Sequence, residues 1–124
     1  MPDYIPLNPD FKFSYKGWII SIEQIFIFKI YFSIDVFGIH ELIKKALKEK
    51  GLENNPRAKS LLNAIINEGS GIWGISQTSM TVFHTFNWPE KCKQDAINHI
   101  NNILGDGITY AKRENIIPSL KYFI

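Results

Sequence analysis

Alternating apolar and polar positions in the first third of the chain predict β-strands. Residues 11–15 alternate between aromatic and polar side chains, a period of two that is typical of a strand with one buried face. A tight turn at residues 16–17 leads into an apolar run over residues 18–34, rich in β-branched and aromatic side chains that favour strands. We therefore expect a meander of two or three strands. A buried helix over residues 18–34 is the alternative, because such an apolar run fits either period.

A switch to helical periodicity predicts two helices in the middle of the chain. Apolar side chains recur at spacings of three and four from Asp35 to Lys50, and again from Pro56 onward. Gly51 is well placed to end the first helix, and Asn55 is well placed to cap the second. The stripes expected to face the core are Ile39, Leu42, Ile43, Ala46 and Leu47 in the first helix, and Ala58, Leu61, Leu62, Ile65 and Ile66 in the second.

The C-terminal half is predicted to contain three strands and one helix. Two strands, Ile72–Ser76 and Met80–Asn87, are joined by a polar turn at Gln77–Ser79. A helix over residues 90–104 then precedes a strand at Ile108–Lys112.

Strands and helices come in blocks along the chain, which favours an α+β fold. We expect one domain over residues 1–124, with a mostly antiparallel sheet of roughly four to six strands and three helices. The strand, helix and strand between Met80 and Lys112 are compatible with one right-handed crossover. Residues 1–10 are polar and contain three prolines, so they are expected to form an extended N-terminal arm.

Composition, charge and cysteine content exclude several classes of protein. The 124 residues suffice for one hydrophobic core but not two, and a net charge of +2 gives no strong attraction to nucleic acids or anionic membranes. A lone cysteine, Cys92, can form neither an internal disulfide nor a thiolate zinc site, which fits a cytoplasmic protein. The N-terminus lacks the pattern of a signal peptide. Glu23 and Lys29, within the apolar run over residues 18–34, would each cost about 2.5–3.5 kcal/mol at mid-bilayer. The run is therefore not expected to span a membrane.

The side chains capable of catalysis are few and do not form a catalytic set. On the predicted third helix, Cys92 and His99 would lie about 10 Å apart, too far for a thiol–imidazole hydrogen bond, whereas Asp95 and His99 could pair. His84 shares a strand face with apolar residues, as a partly buried histidine commonly does. Glycine-rich turns around Ser70 and Asp106 precede predicted strands rather than helices, so neither predicts a phosphate site. We therefore expect no enzyme activity, no cofactor and no metal site, and an enzyme using His84 or His99 is the least favoured interpretation.

Four short segments between Leu61 and Tyr110 resemble a known family. They are Gly71-Ile72-Trp73-Gly74-Ile75, Thr85-Phe86-Asn87-Trp88-Pro89-Glu90, Ala96-Ile97-Asn98-His99-Ile100-Asn101-Asn102-Ile103 and Gly107-Ile108-Thr109-Tyr110-Ala111. In order and spacing they are similar to the small bacterial immunity proteins that neutralise tRNA-cleaving colicins. The resemblance implies a protein that binds a toxin domain and covers its active site. Because inhibitors of nucleases are usually acidic, the net charge of +2 favours a toxin that is not strongly basic.

The function predicted from the sequence is protein binding, with neutralisation of a cognate bacterial toxin as its specific form. Aromatic side chains anchor interfaces because they bury a large area at a low entropic cost. The side chains expected to contact the partner are Trp73, His84, Trp88, Asp106 and Tyr110.

The alternative is a nucleic-acid-binding module that uses the basic helix pair at residues 44–59. Its cations are interleaved with acidic residues, an arrangement more typical of a solvated helix face. The cations are Lys44, Lys45, Lys48, Lys50, Arg57 and Lys59.

Overall fold

A computed structural model describes residues 5–8, 12–24, 27–69, 76–84 and 86–120 of the chain. These residues form an antiparallel sheet of five strands and four α-helices, which confirms the predicted α+β class and adds one helix to the predicted number. The strands are β1 (Ile5–Asn8), β2 (Lys12–Tyr15), β3 (Trp18–Gln24), β4 (Phe28–Ile34) and β5 (Ser76–Val82). The α-helices are α1 (Val36–Glu49), α2 (Pro56–Gly69), α3 (Trp88–His99) and α4 (Gly107–Arg113).

The sheet is a meander of four strands to which a fifth is added after the first two helices. Its spatial order is β1-β2-β3-β4-β5, and every pair is antiparallel. The apolar run over residues 18–34 therefore forms strands β3 and β4, and the helical alternative is wrong. Part of the expected N-terminal arm is also a strand: Ile5 pairs with Ser14 and Pro6 with Phe13. Proline is tolerated there because β1 lies at the edge of the sheet.

The core lies on one face of the sheet, where large apolar side chains oppose each other across the strands. Phe13 pairs with Ile20, and Ile20 with Phe32, and all three are fully buried under the helices. The opposite face is more polar: Ser21 pairs with Tyr31, and Tyr31 with Ser79. Ile19 and Ser33 pair on this face and are buried, but the largest side chains lie on the core face, as expected of an antiparallel sheet packed against helices.

Helices α1 and α2 occupy the predicted positions, and their ends are capped as expected. The Asn55 side chain accepts hydrogen bonds from the N–H groups of Arg57 at 2.9 Å and Ala58 at 3.3 Å, and Gly51 adopts the left-handed conformation at φ +72°. The predicted α1 stripe is buried only in part. Ile39 and Ile43 belong to the core, whereas Leu42 is 48% exposed and Ala46 is exposed.

The predictions for the C-terminal half need two corrections. The polar segment Gln77–Ser79, predicted as a turn, lies inside β5, because an edge strand accepts polar residues on its exposed positions. The segment Ile108–Lys112, predicted as a strand, lies inside helix α4. Asp106 begins this helix by accepting a hydrogen bond from the Thr109 N–H at 2.9 Å. The predicted crossover needs a strand after α3, and none is present among the described residues. Residues 72–75, which belong to the predicted strand Ile72–Ser76, lie outside the described ranges.

The helix predicted over residues 90–104 is present but changes its winding. It begins at Trp88 as α3 and continues from Ile100 to Leu104 as a π-helical turn. This turn contains one more residue than an α-helical turn of the same rise, so the residues that follow are rotated relative to their places in an uninterrupted α-helix. Leu104 is buried while Ile103 is 65% exposed, although their spacing of three and four residues from Ile100 predicts that both face the core.

Candidate protein-binding site

The residues predicted to contact a partner lie at two opposite ends of the sheet. His84 and Trp88 lie at the end where Phe28 pairs with Val82. Asp106 and Tyr110 lie at the other end, close to Trp18. Six residue steps along β3 separate the two ends, a distance of about 20 Å. Trp73 lies outside the described residues.

The first end exposes three large apolar side chains. Phe83 is 70% exposed, Phe86 78% and Ile27 45%. Phe28 and Val82 form the last residue pair between β4 and β5. Ile27 precedes Phe28 and Phe83 follows Val82, so both lie directly beyond this pair. We call Ile27, Phe83 and Phe86, together with His84 and Trp88, the aromatic end. Clustered exposed apolar side chains of this size mark sites of interaction.

His84 and Trp88 attach the aromatic end to the rest of the fold. His84 Nε2 lies 2.7 Å from Oδ2 of Asp95 on α3, and the Trp88 ring stacks on Phe28 at a centroid distance of 4.7 Å and an angle of 20°. The two anchors lie on either side of Phe86. Each contact ties one flanking residue to the rest of the fold, while the side chains of Phe83 and Phe86 remain exposed.

Sequence reasoning missed Phe83 and Phe86. Strand alternation over residues 80–87 placed them on opposite faces of a strand, whereas β5 ends at Val82. The start of α3 at Trp88, next to Pro89, limits the length of the strand but does not end it at Val82. No local signal in the sequence therefore specifies that Phe83 and Phe86 are exposed.

Cys92 and His99 do not form a reactive pair. Cys92 is fully buried, and burial, together with the nearby Asp95 carboxylate, raises its pKa to about 11. The thiol is therefore protonated at neutral pH, and a protonated thiol is a poor nucleophile. The His99 ring packs on Phe32 at a centroid distance of 5.3 Å, while Asp95 is paired with His84 rather than with His99. Among the described residues, no group of three His, Cys, Asp or Glu side chains is placed to hold a metal ion.

At the opposite end, Asp106 and Tyr110 have structural contacts. The Asp106 carboxylate accepts hydrogen bonds from both the N–H and the hydroxyl of Thr109, each at 2.9 Å. Tyr110 packs edge-on against Trp18, with ring centroids 4.8 Å apart. The Trp18 indole N–H in turn donates to the Gly105 carbonyl at 2.9 Å. These contacts fasten α4 to the β2–β3 hairpin.

A cleft of about 620 Å³ opens beside this junction. Leu42 and Ile108 line the cleft with apolar surface, Lys16 contributes a positive charge and Asp106 a negative charge. Asn101 Oδ1 accepts hydrogen bonds from the Tyr15 hydroxyl at 2.9 Å and from Lys16 Nζ at 3.0 Å. Ile100, Asn101 and Gly105 complete its described lining.

The basic helix pair presents its cations to solvent. All six predicted cations on α1, α2 and the loop between them are exposed, and so are the intervening Glu49 and Glu53. The surface therefore carries charges of both signs in alternation.

Comparison with known proteins adds no relative. No family model, no curated protein and no solved structure matches the chain. The resemblance to colicin immunity proteins therefore stays a prediction from four short segments. Within the described part of the chain, no helix has the length and apolar character needed to cross a bilayer.

Proposed function

We propose that the chain is a non-enzymatic protein-binding protein that neutralises a cognate bacterial toxin domain in the cytoplasm. The observation that carries the proposal is the exposure of Phe83 and Phe86 on an anchored segment. Burying each phenylalanine against a partner would contribute about 1.5–3 kcal/mol. Because the segment is already held by His84 and Trp88, little conformational entropy is lost on binding.

The resemblance and the exposed aromatics overlap in the chain. The segment Thr85–Glu90, one of the four that resemble the colicin immunity proteins, contains Phe86 and Trp88. This overlap supports a toxin as the partner. The net charge of +2 favours a toxin whose active-site region is neutral or mildly acidic.

The protonated, buried Cys92 and the engagement of His99 with an aromatic ring support a binding role over catalysis. In such a role the protein would act by covering the toxin's active site. Its own side chains would supply shape and apolar area rather than reactive groups.

The test is a titration calorimetry measurement with the toxin domain encoded beside the gene for this chain. We expect a complex tighter than micromolar, and we expect the double substitution Phe83→Ala/Phe86→Ala to weaken it about 100-fold or more. Phe37→Ala is the matched control, since Phe37 is 53% exposed but lies in α1 at the opposite end of the sheet. The proposal fails if no neighbouring gene product binds, or if the double variant binds as tightly as the wild type.

The nucleic-acid alternative rests on the six exposed cations of the helix pair. It predicts an affinity for RNA or DNA that falls steeply as salt rises, because bound cations release counterions. Fluorescence anisotropy with a labelled oligonucleotide between low and physiological salt distinguishes the two functions. A salt-independent signal, or none, eliminates the alternative.

A further inference from the structure

The cleft beside the β2–β3 hairpin carries two opposite charges that do not neutralise each other. Lys16 lies in the turn between β2 and β3, Asp106 precedes α4, and both line the cleft of about 620 Å³. Their backbones are neighbours, since the Gly107 N–H donates to the Lys16 carbonyl at 2.7 Å. Yet none of the ion pairs among the described residues joins Lys16 to Asp106. The two charges therefore line one cleft without being paired with each other.

Both charged groups are held in position by hydrogen bonds that use only part of their bonding capacity. Lys16 Nζ donates to Asn101 Oδ1 at 3.0 Å and lies 5.3 Å from the centroid of the Tyr15 ring. This hydrogen bond uses one of the three N–H groups of the ammonium. The two Asp106 carboxylate oxygens each accept one bond from Thr109, out of roughly four lone-pair sites. A ligand can therefore accept from the ammonium and donate to the carboxylate.

Apolar surface extends from the two charges along helix α1. Leu42 and Ile108 line the cleft, and Leu42 is 48% exposed although it belongs to the apolar stripe of α1. The same two residues also line an adjoining space of about 370 Å³ between α1, α2 and α4. The other apolar residues of that space are Ile43, Ala46, Leu47 and Leu61. Both volumes lie in the range of roughly 300–1,000 Å³ that is typical of small-molecule sites, and together they accommodate a large apolar group.

We infer that this cleft binds an α-amino acid with a large apolar side chain, such as phenylalanine. The carboxylate of the ligand accepts from Lys16 Nζ, and its ammonium donates to the Asp106 carboxylate. Both contacts are charge-assisted hydrogen bonds, which are stronger than neutral ones. The side chain of the ligand covers Leu42 and Ile108, and the burial of this apolar surface also favours binding.

The presence of both charges favours a zwitterion over a ligand with one charge. A fatty acid would place its carboxylate close to Asp106, and an alkyl amine would place its ammonium close to Lys16, so each would meet a like charge. The cleft also lies at the end of the sheet opposite the aromatic end, about 20 Å away. Amino-acid binding is therefore independent of the proposed toxin binding, and failure of either would leave the other unchanged.

The first experiment is a titration of the full chain with L-phenylalanine, followed by amide NMR spectra. We expect saturable shifts at the backbone amides that border the cleft, with a dissociation constant on the order of 1 mM. Those amides belong to Lys16, Asn101, Asp106 and Ile108. L-Alanine, phenylalaninamide and N-acetylphenylalanine lack the large side chain, the carboxylate and the ammonium, respectively. Each of the three should bind at least about tenfold more weakly than phenylalanine.

The second experiment repeats the titrations with variants that each remove one charge. Lys16→Met should bind phenylalanine and phenylalaninamide equally. Asp106→Asn, which keeps the oxygen that caps α4, should bind phenylalanine and N-acetylphenylalanine equally. Lys12→Met is the matched control, because Lys12 is exposed on β2, and it should keep the wild-type preferences. Absence of saturable shifts at the cleft would overturn the assignment, and so would a wild type without these preferences or charge-removing variants that retain them.

Discussion

The imidazole of His84 lies 2.7 Å from the carboxylate of Asp95, and this pair ties the segment after β5 to helix α3. The two residues are eleven positions apart, and both side chains are partly exposed, 21% and 35% respectively. The pair therefore contributes modestly to global stability but strongly to the local position of Phe83 and Phe86.

Replacing His84 by alanine is expected to loosen the aromatic end more than it lowers global stability. Loss of one partly exposed hydrogen bond should reduce the free energy of unfolding by about 1 kcal/mol. Hydrogen exchange of residues 83–87 should accelerate, and toxin affinity should fall about tenfold as preorganisation is lost. His40→Ala is the control, because His40 pairs with its chain neighbour Glu41, at 3.5 Å, and lies on α1 rather than at the aromatic end. Unchanged exchange in His84→Ala would contradict the anchoring role.

Trp88 is expected to be the larger anchor. Trp88→Ala removes the stack on Phe28 and should lower the free energy of unfolding by about 2–3 kcal/mol, less than for a fully buried tryptophan because Trp88 is only half-buried. Trp88→Phe retains an aromatic ring at the same place and should lose less than half of that. Chemical denaturation of the three proteins measures the difference. Equal losses in both variants would show that the stacked geometry is unimportant.

Gly107 is expected to tolerate no side chain. A Cβ at this position would collide with the Gly17 carbonyl oxygen, and the Gly107 N–H donates to the Lys16 carbonyl at 2.7 Å. We expect Gly107→Ala to destabilise the protein by about 2–4 kcal/mol through backbone displacement. Gly51→Ala is the matched control: no atom lies within 4 Å of its Cβ position, so only the positive φ costs about 1 kcal/mol. Thermal unfolding of both variants should rank them in this order.

Cys92 is expected to couple stability to alkaline pH. Its pKa rises from 9.0 to about 11 on folding, first because of burial and second because of Asp95. The folded state thus keeps the proton that the unfolded state loses, so this stabilising contribution is complete below pH 9 and declines as pH rises toward 11. The loss amounts to about 2–3 kcal/mol. The difference in the free energy of unfolding between wild type and Cys92→Ala, measured from pH 8 to 11, isolates the contribution of the Cys92 thiol. A pH-independent difference would contradict the burial effect.

The elements that could be predicted from the sequence are those whose signals are local. Helix α2 is an example, since Asn55 caps the helix and the apolar spacing continues to its end. Helix α4 could not be predicted in this way. Ile108, Thr109 and Tyr110 favour a strand by propensity, and the helix instead depends on the Asp106 cap and on packing of Tyr110 against Trp18.

The candidate site could likewise be predicted only in part from local signals in the sequence. An aromatic-rich C-terminal half is visible in the sequence, and it directs attention to the segment around His84 and Trp88. Which aromatics are exposed depends on where β5 ends and on the contacts of His84 with Asp95 and Trp88 with Phe28. Those contacts join residues that are distant in the chain, and residue spacing does not specify them.

The π-helical turn at Ile100–Leu104 gives this part of the gene room to lose a single codon. The turn contains one residue more than an α-helical turn of the same rise, so removing the exposed Asn102 would restore ordinary helical winding and leave later residues near their present orientation. The Trp18 indole would keep the Gly105 carbonyl, and the Gly107 N–H would keep the Lys16 carbonyl. A codon lost from α3 would instead turn those residues by about 100° around the helix axis. We expect homologous genes to differ in length by one codon within this turn more readily than within α3.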